Sequence, residues 1–272
     1  MGAGFSAVGA RVVVTGAGRG IGAALATAFA AAGARVVVND LDPEAAAGTA
    51  AGIGALAVPG DAASRAGVAA LVEAARAELG GIDVFCANAG VAPTGGADAP
   101  GQAWESAWEV NVLAHVRAAE LLLPEWLERG GGRFVATVSA AGLLTMLGSA
   151  PYAVTKHGAL AFAEWLSATY RHRGVRVHAL CPQGVRTRIL ADSGEVGQAL
   201  LAADALEPEE VARSVLRALA EERFLILPHP AVADYYAARA TDPDRWLGAM
   251  NHLQQKIVEA RDVEARGVEA RD

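Results

Sequence analysis

Short runs of β-branched residues alternate with longer helical segments along most of this 272-residue chain. The runs are apolar and short, which is typical of strands buried inside a sheet. A strand followed by a helix, repeated six times and closed by a last strand, predicts an α/β fold: a doubly wound sheet of seven mainly parallel strands with helices on both faces. The predicted strands are residues 11–15, 34–38, 55–58, 82–86, 132–139, 175–180 and 224–227.

A glycine-rich loop follows the first predicted strand and precedes an Ala-rich helical stretch, residues 23–32. A strand, a loop and a helix in this order place backbone N–H groups and a helix N-terminus against a phosphate. Glycine is common here, with 31 of 272 residues, so the position of the cluster matters more than its composition. We expect Gly16, Gly20 and Gly22 to give a dinucleotide pyrophosphate a close approach to the backbone.

Asp40 ends the second predicted strand, where a carboxylate can accept hydrogen bonds from the hydroxyls of an adenosine ribose. The same carboxylate would repel a 2′-phosphate, which favours NAD over NADP. Arg19 acts in the opposite direction, because a cation in the glycine loop could pair with that phosphate. Asp40 could instead cap a helix or lie in a solvated turn, although Asp42-Pro43-Glu44 already provides a good helix start.

Tyr152 and Lys156 are four residues apart, on one face of a predicted helix that covers residues 150–173. A free phenol has a pKa of about 10, and a neighbouring ammonium stabilises the phenolate. The pair is therefore a candidate proton donor and acceptor for an alcohol or a carbonyl. An ordinary amphipathic helix is the alternative. Against it, the chain has 23 basic residues, of which only Lys156 and Lys256 are lysines.

Polar residues follow several predicted strands, at the edge where parallel sheets bind ligands. Asp61 follows the third strand, Asn88 the fourth, and Ser139 ends the fifth, 13 residues before Tyr152. Asn111 lies in the middle of a long predicted helix, residues 102–126, where Asn is not favoured. It is either a tolerated surface residue or a polar group that faces the site.

Composition excludes several classes of function. The net charge is −7 and the isoelectric point is about 5.4, with no basic stripe that would indicate a nucleic-acid surface. No apolar run reaches the roughly 18 residues of a membrane span, and the N-terminus lacks the pattern of a signal peptide.

Cys86 and Cys181 lie in apolar, strand-like runs, which predicts buried thiols rather than a disulfide or a metal pair. We therefore expect a cytoplasmic protein without a metal.

The chain resembles the short-chain dehydrogenase/reductase family over roughly residues 10–228. The motifs are modest one by one, but their order and spacing together are specific. They are Thr15-Gly16-Ala17-Gly18-Arg19-Gly20-Ile21-Gly22, Asn88-Ala89-Gly90, Asn111, Ser139, Tyr152-Ala153-Val154-Thr155-Lys156 and Pro182-Gln183-Gly184-Val185-Arg186-Thr187. The resemblance implies a seven-stranded Rossmann-like sheet, NAD or NADP as cofactor, and a homotetramer or homodimer.

The resemblance also implies roles for individual residues. Tyr152 would be the general acid/base, Lys156 would lower the pKa of Tyr152 and hold the nicotinamide ribose, and Ser139 would bind the substrate oxygen. Asn111 would anchor a water in a proton relay through Lys156. The residues implied at the cofactor are Gly16, Arg19, Gly20, Ile21, Gly22, Asp40, Asp61, Ala62, Asn88, Tyr152, Lys156, Pro182, Val185 and Thr187.

The substrate pocket is the part where the family pattern helps least. The family usually has Pro-Gly where this chain has Pro182-Gln183, so Gln183 either enlarges the polar part of the site or stiffens the loop. Residues 188–205 are small, apolar and weakly patterned, which suits a mobile lid. We expect the pocket to be lined by Leu143, Leu144, Met146, Leu147, Gln183 and the lid.

The chain continues beyond the predicted sheet. We expect residues 1–228 to form a single dinucleotide-binding and catalytic domain and residues 229–272 a helical extension. Asp242-Pro243 is a good helix start. Trp246, Met250, Leu253 and Ile257 then form one apolar stripe, which packs on its own domain or covers a partner subunit or its active site. The final fifteen residues repeat Val-Glu-Ala-Arg with a five-residue period that fits no regular element, so we expect a frayed, charged tail.

These features predict an oxidoreductase that transfers a hydride between NAD(H) and a small-to-medium, largely apolar secondary alcohol or ketone. An NADP-linked 3-oxoacyl thioester reductase is the first alternative, with Arg186 or Arg188 meeting an anionic carrier; Asp40 argues against it. A non-catalytic dinucleotide sensor or scaffold is the second, and the complete set of Ser139, Tyr152 and Lys156 argues against that.

Overall fold

The computed structural model describes residues 4–269, with side chains described up to residue 259. Seven strands form one sheet: β1 (Arg11–Val14), β2 (Arg35–Val38), β3 (Leu56–Ala57), β4 (Val84–Ala87), β5 (Gly132–Thr137), β6 (Val175–Leu180) and β7 (Leu225–Ile226). The helices that follow them are α1 (Gly20–Ala31), α2 (Pro43–Ile53), α3 (Arg65–Leu79), α4 (Gly101–Trp108), α5 (Ala114–Glu128), α6 (Ala150–Tyr170), α7 (Arg188–Ala191), α8 (Gly194–Leu201), α9 (Pro208–Ala220), α10 (Ala231–Thr241) and α11 (Pro243–Glu269).

The strand order is β3-β2-β1-β4-β5-β6-β7, and all six neighbouring pairs are parallel. The order reverses between β1 and β4, and the carboxyl ends of these strands border a crevice, which is where such sheets bind ligands. The predicted α/β doubly wound sheet is therefore confirmed, as a wholly parallel sheet.

Both faces of the sheet are buried, which explains the continuously apolar strands. Successive residues of β1 point to opposite faces: Val13 packs with α3, α5 and α6, whereas Val12 and Val14 pack with α1, α2 and α9. Cys86 and Cys181 are both buried and free, as predicted. Among the described residues no helix is long and apolar enough to cross a membrane.

Side-chain caps begin the helices at the predicted positions. The Asp42 carboxylate accepts the N–H groups of Glu44 and Ala45 at the start of α2, and the Ser64 hydroxyl accepts that of Gly67 in α3. Asp242 caps α11 in the same way, by accepting from the Arg245 N–H. Each cap satisfies N–H groups that the first turn of a helix leaves without partners.

The predicted helix over residues 102–126 differs from the structure in two ways. It is divided into α4 and α5 by a turn of π-helix, Glu109–Leu113. Its end is also later than predicted: the sequence predicts that Pro124 bends or ends the helix, but Pro124 lies inside α5 and removes one N–H donor without ending it. The flanking Leu122 and Trp126 are fully buried in the core, and this packing holds the helix through Glu128.

Two weakly patterned segments have more regular structure than the sequence predicts. Residues 188–205 contain the short helices α7 and α8. The terminal repeat begins within α11, and the backbone of α11 is helical to Glu269. The expected frayed tail is therefore not found up to that residue. Residues 270–272 lie outside the described residues. The division of the chain at residue 228 stays a prediction.

Gly22, in the first turn of α1, lies against the loop that leaves β1. A Cβ atom at this position would be 2.1 Å from the Gly16 carbonyl oxygen and 2.5 Å from the Asn88 Nδ2 atom. By contrast, a Cβ atom on Gly48, in α2, would have no neighbour within 4 Å. Close packing therefore requires a glycine at position 22 but not at position 48, so Gly48 provides a control for substitutions of Gly22.

We expect Gly22→Ala to lower the free energy of unfolding by about 1–3 kcal/mol, because the backbone must move apart to admit the methyl group. Gly48→Ala should raise the free energy of unfolding by up to about 1 kcal/mol, because alanine is the better helix former. Urea unfolding measures both. Equal effects of the two substitutions would contradict the close approach at Gly22.

Candidate active site

A large cavity of about 2200 Å³ opens at the carboxyl edge of the sheet. It is lined by the glycine loop, the ends of β4 and β5, the start of α6, the segment after β6, the helices α7 and α8, and parts of α10 and α11. Ordinary ligand pockets measure about 300–1,000 Å³. The cavity therefore has room for a dinucleotide and a second sizeable molecule.

The N-terminus of α1 faces this cavity through Gly20, Ile21 and Gly22. No side chain caps the helix, so the N–H groups of its first turn remain available to a ligand. Gly20 has a φ of +54°, which favours glycine, and a Cβ atom there would be 3.0 Å from a methyl group of Thr187. The loop thus provides the anion-binding helix terminus that its sequence predicts.

Asp40 and Arg19 both line the cavity, but they differ in what they can offer. The Asp40 carboxylate accepts the N–H groups of Gly18 at 2.8 Å and of Asp42 at 3.0 Å, which leaves further acceptor positions on both oxygens. Arg19 donates to the Asp42 carboxylate at 2.5 Å. The cation that could attract a 2′-phosphate is thus already paired.

Asn88 holds the glycine loop against the neighbouring strands. Its Nδ2 atom donates to the carbonyl oxygens of Thr15 at 3.0 Å and Gly16 at 3.2 Å, and its Oδ1 atom accepts from the Thr137 hydroxyl at 3.1 Å. Asp61 and Ala62 lie at the edge of the same cavity, and the Asp61 carboxylate accepts the Ala63 N–H at 2.9 Å.

Ser139, Tyr152 and Lys156 meet on the wall of the cavity formed by the end of β5 and by α6. The Lys156 side chain is 3% exposed, and its Nζ atom lies 5.6 Å from the centre of the Tyr152 ring. Nζ donates to the Thr137 carbonyl oxygen at 2.9 Å. The Ser139 hydroxyl accepts the Ala141 N–H at 3.1 Å and donates to the Pro182 carbonyl oxygen at 3.4 Å.

Burial is the strongest influence on the proton affinities of this pair. It raises the pKa of the Tyr152 phenol, while the hydrogen bond with Ser139 acts in the opposite direction. Burial also lowers the pKa of Lys156 to about 8. The net result is a raised pKa for Tyr152, so the lowering by Lys156 that the resemblance implies is not found in this structure.

Asn111 lies in the π-helical turn, fully buried, and its side chain does not line the cavity. Its Oδ1 atom accepts the Val91 N–H at 3.0 Å, and its Nδ2 atom donates to the Val91 carbonyl oxygen at 2.9 Å and to the Thr155 hydroxyl at 3.0 Å. The side chain therefore ties the loop after β4 to α6. A Cβ atom on the cavity-lining Gly90 would be 3.3 Å from the Asn111 Oδ1 atom and 3.4 Å from the Lys156 Nζ atom, so the amide lies close to the ammonium. Its predicted role in anchoring a water stays a prediction.

His229 is a site residue that the sequence reasoning missed. Its Nδ1 atom accepts the Gln183 N–H at 3.1 Å, so the proton is on Nε2, which lies 3.2 Å from the Asp204 carbonyl oxygen. Burial lowers the pKa of His229, which favours this neutral form. The residue fastens the segment after β6, where Pro182, Gln183, Val185 and Thr187 line the cavity. A single histidine beyond the last strand carries no sequence pattern that would have revealed it.

The predicted substrate residues divide into two groups. Leu144, Met146, Leu147 and Gln183 line the cavity. Leu143 does not: it is 1% exposed and belongs to the core between the sheet and α6, so its prediction as a substrate residue is wrong. The turn of 3₁₀-helix that precedes it, Ala140–Gly142, directs this leucine inward.

The C-terminal extension reaches the same cavity. The sequence did not decide between this position and one on a partner subunit. Tyr235 of α10 and Trp246, Met250 and Leu253 of α11 all line it. The apolar stripe of α11 thus lies over the active-site region of its own chain.

Comparison with known proteins decides the family. The family described as short chain dehydrogenase matches residues 10–196. The chain belongs to this family. It is 40% identical to a 1-deoxy-11-beta-hydroxypentalenate dehydrogenase of Streptomyces exfoliatus over 227 residues, which are 79% of this chain and 81% of that protein.

Solved structures of related dehydrogenases agree with the fold. A short chain dehydrogenase/reductase from Burkholderia phymatum in complex with NAD superposes with a TM-score of 0.81 and 30% identity, covering 88% of this chain and 96% of that one. A 7α-hydroxysteroid dehydrogenase complexed with NADH and 7-oxo glycochenodeoxycholic acid has a TM-score of 0.74 and 28% identity, covering 81% and 92%. The chain is therefore a Rossmann-like short-chain oxidoreductase, related to dehydrogenases of hydroxy and keto compounds.

Beside the site, this short-chain dehydrogenase buries His115, for which the described part of the chain provides no hydrogen-bond partner. Neither ring nitrogen of His115, on α5, has a hydrogen-bond partner among the described residues, and the ring packs edge-on against Phe134. Burial, assisted by the charge of Lys156, lowers the pKa of His115 to about 3. His178 is buried as well, and burial lowers its pKa to about 4.

These neutral histidines should make the dehydrogenase acid-sensitive. Below pH 6.5 the unfolded chain binds protons that the folded chain does not, so the free energy of unfolding should fall as the pH drops towards 4, by about 1.4 kcal/mol per pH unit for each group. His115→Leu should make this pH dependence shallower by about one proton. Urea unfolding at pH 6.5, 5.5 and 4.5 measures the slope.

The exposed His172 provides the control, since His172→Leu should keep the wild-type slope. A wild-type slope in His115→Leu would show that His115 becomes protonated in the folded protein.

Proposed function

We propose that the protein is an NAD-dependent dehydrogenase that interconverts a secondary alcohol and its ketone. The observation that carries the proposal is the meeting of Ser139, Tyr152 and Lys156 in one cavity with the uncapped N-terminus of α1. The hydroxy and keto compounds in the names of its relatives support the same reaction class.

The residues around the glycine loop fit a dinucleotide. The free N–H groups of α1 would bind the pyrophosphate, and the remaining acceptor positions of Asp40 would bind the ribose hydroxyls. NAD is favoured over NADP because Asp40 would repel a 2′-phosphate and Arg19 is paired with Asp42. Asp61 and Asn88, which line the same cavity, would border the adenosine, and Thr187 would meet the nicotinamide amide.

The chain's own groups then handle one proton and the substrate oxygen. The Ser139 hydroxyl would hold the alcohol oxygen, and the Tyr152 oxygen would accept the hydroxyl proton during oxidation and return it during reduction. Lys156, with a pKa of about 8, would pass protons near neutral pH and hold the ribose. When bound, NAD supplies the hydride acceptor, so the carbinol carbon loses a hydride as its oxygen loses a proton.

The alternatives have less support. A 3-oxoacyl thioester reductase would use Arg186 or Arg188 to bind an anionic carrier, but Arg186 donates to Glu207 at 3.0 Å. Burying a lysine ammonium is unfavourable because the charge loses its contact with water. A sensor without catalysis would have no use for such a lysine beside a tyrosine and a serine.

Assembly and location are part of the proposal. Trp108, Val154 and Trp165 are 44–54% exposed on α4 and α6, which supports a homodimer or homotetramer formed through these helices. The two buried free thiols support a reducing compartment such as the cytoplasm.

We expect Tyr152→Phe to lower kcat by about 10²–10⁴-fold with NAD⁺ and a panel of secondary alcohols, because the proton acceptor is lost. NADH binding, measured by fluorescence titration, should be unchanged. Tyr170→Phe is the control, since Tyr170 lies against Trp165, away from the cavity. Turnover close to the wild-type rate in Tyr152→Phe would refute the mechanism.

Cofactor choice is tested by a double variant. Asp40→Ser removes the repulsive carboxylate, and Asp42→Asn releases Arg19 while keeping a side chain that can cap α2. We expect the ratio of kcat/KM for NADP⁺ to that for NAD⁺ to rise at least about tenfold, equivalent to about 1.4 kcal/mol. Asp42→Asn alone is the control. An unchanged ratio in the double variant would show that other groups select the cofactor.

A further inference from the structure

We propose that α10 and α11 form the specificity-determining wall of the substrate site and that this wall selects a bulky, fused-ring, apolar alcohol or ketone. The wall is defined by Tyr235, Trp246, Met250 and Leu253. It lies beyond residues 10–196, the part of the chain that matches the family. The proposal rests on the function proposed above.

The wall is fastened to the helix that carries Tyr152. His157 of α6 donates from Nδ1 to the Ala153 carbonyl oxygen at 2.9 Å, so its Nε2 atom is free to accept. Arg239 of α10 meets this Nε2 atom at 3.1 Å and also donates to the Leu143 carbonyl oxygen. The position of α10 is thus coupled to the helix turn that presents Tyr152.

A second attachment lies at the mouth of the cavity. The Trp246 Nε1 atom donates to the Thr145 hydroxyl at 3.3 Å, within the segment that supplies Leu144 and Met146 to the cavity. The Tyr235 and Trp246 rings are 6.4 Å apart, which links α10 and α11. Val232 of α10 is fully buried in the core, and together with it these contacts hold the wall in one position.

The apolar stripe of α11 is only half covered by protein. Trp246, Met250 and Leu253 are partly buried and line the cavity, while Leu247 on another face of the helix is 55% exposed. Removing apolar surface from water is worth about 25 cal/mol per Å². A ligand with an apolar body would complete the burial of this stripe, and a sugar alcohol would not.

The chemistry of the wall narrows the substrate class. Its four side chains carry no charge, and two of them are aromatic rings that pack well against flat, rigid ring systems. Val196 and Leu200 of α8 add two further apolar side chains to the lining of the cavity. A cavity of about 2200 Å³ is much larger than a dinucleotide and a short aliphatic alcohol require. These features favour a fused-ring substrate over a carrier-bound thioester.

Two substitutions test the wall against a matched control. Trp246→Ala removes its largest side chain, Met250→Trp fills the space beside it, and Leu247→Ala alters the outer face of the same helix. The probes are androsterone, a fused-ring secondary alcohol, and cyclohexanol, each with saturating NAD⁺. We expect both wall variants to lower kcat/KM for androsterone by about 10–100-fold and to change that for cyclohexanol less than about threefold. Leu247→Ala should change neither.

A binding measurement separates this proposal from the proposed function. Androstane-3,17-dione is titrated calorimetrically into NADH-saturated Tyr152→Phe protein, with and without Trp246→Ala. Binding that Trp246→Ala weakens at least about tenfold would support the wall, even if no alcohol is turned over and the proposed reaction is wrong. Absent binding of the dione, or an unchanged preference between the two alcohols in both wall variants, would overturn the wall, even if cyclohexanol is oxidised.

Discussion

The hydrogen bond from the Lys156 ammonium to the Thr137 carbonyl oxygen joins the catalytic helix to the centre of the sheet. The Thr137 hydroxyl donates to Asn88, and Asn88 donates to the carbonyl oxygens of Thr15 and Gly16 at the start of the glycine loop. One continuous network therefore connects Lys156, beside Tyr152, with the glycine loop across the centre of the sheet. Such a network is rigid because every member would lose a buried partner if the strands shifted.

The buried lysine is also the costliest group in this network. Removing an ammonium from water is unfavourable, and burial therefore lowers the pKa of Lys156. Burial and the charge of Lys156 together lower the pKa of His115, which keeps that histidine neutral. Stability alone would favour an apolar residue at such a position. A charge at this position, one helical turn from Tyr152, therefore supports the proposed role of Lys156 in proton transfer.

The sheet and the helices outside it contribute to different parts of the cavity. The parallel strands and the network position the groups that any hydroxy or keto substrate would need. The shape of the remaining cavity depends on α7, α8, α10 and α11, which contribute no strand to the sheet. Arg239 and Trp246 join α10 and α11 to α6 and to the segment that precedes it. His229 fastens the segment after β6.

Much of the architecture was predictable because it depends on local chemistry. Strand and helix periodicity, the caps at Asp42 and Ser64, the glycine loop and the one-turn spacing of Tyr152 and Lys156 are set by neighbours within a few residues. The parallel, doubly wound order follows from the alternation of strands and helices.

Only the tertiary structure decided how distant segments meet. The inward direction of Leu143, the use of the Asn111 amide to hold Val91 and Thr155, and the contact of His229 with Gln183 all join residues or layers that are far apart along the chain. The apolar stripe of α11 was evident from its spacing, but its partner was not. The sequence by itself determined which elements form and which chemistry they carry, because these are short-range properties. The folded chain determined which surfaces close the cavity, because long-range packing has no local signature.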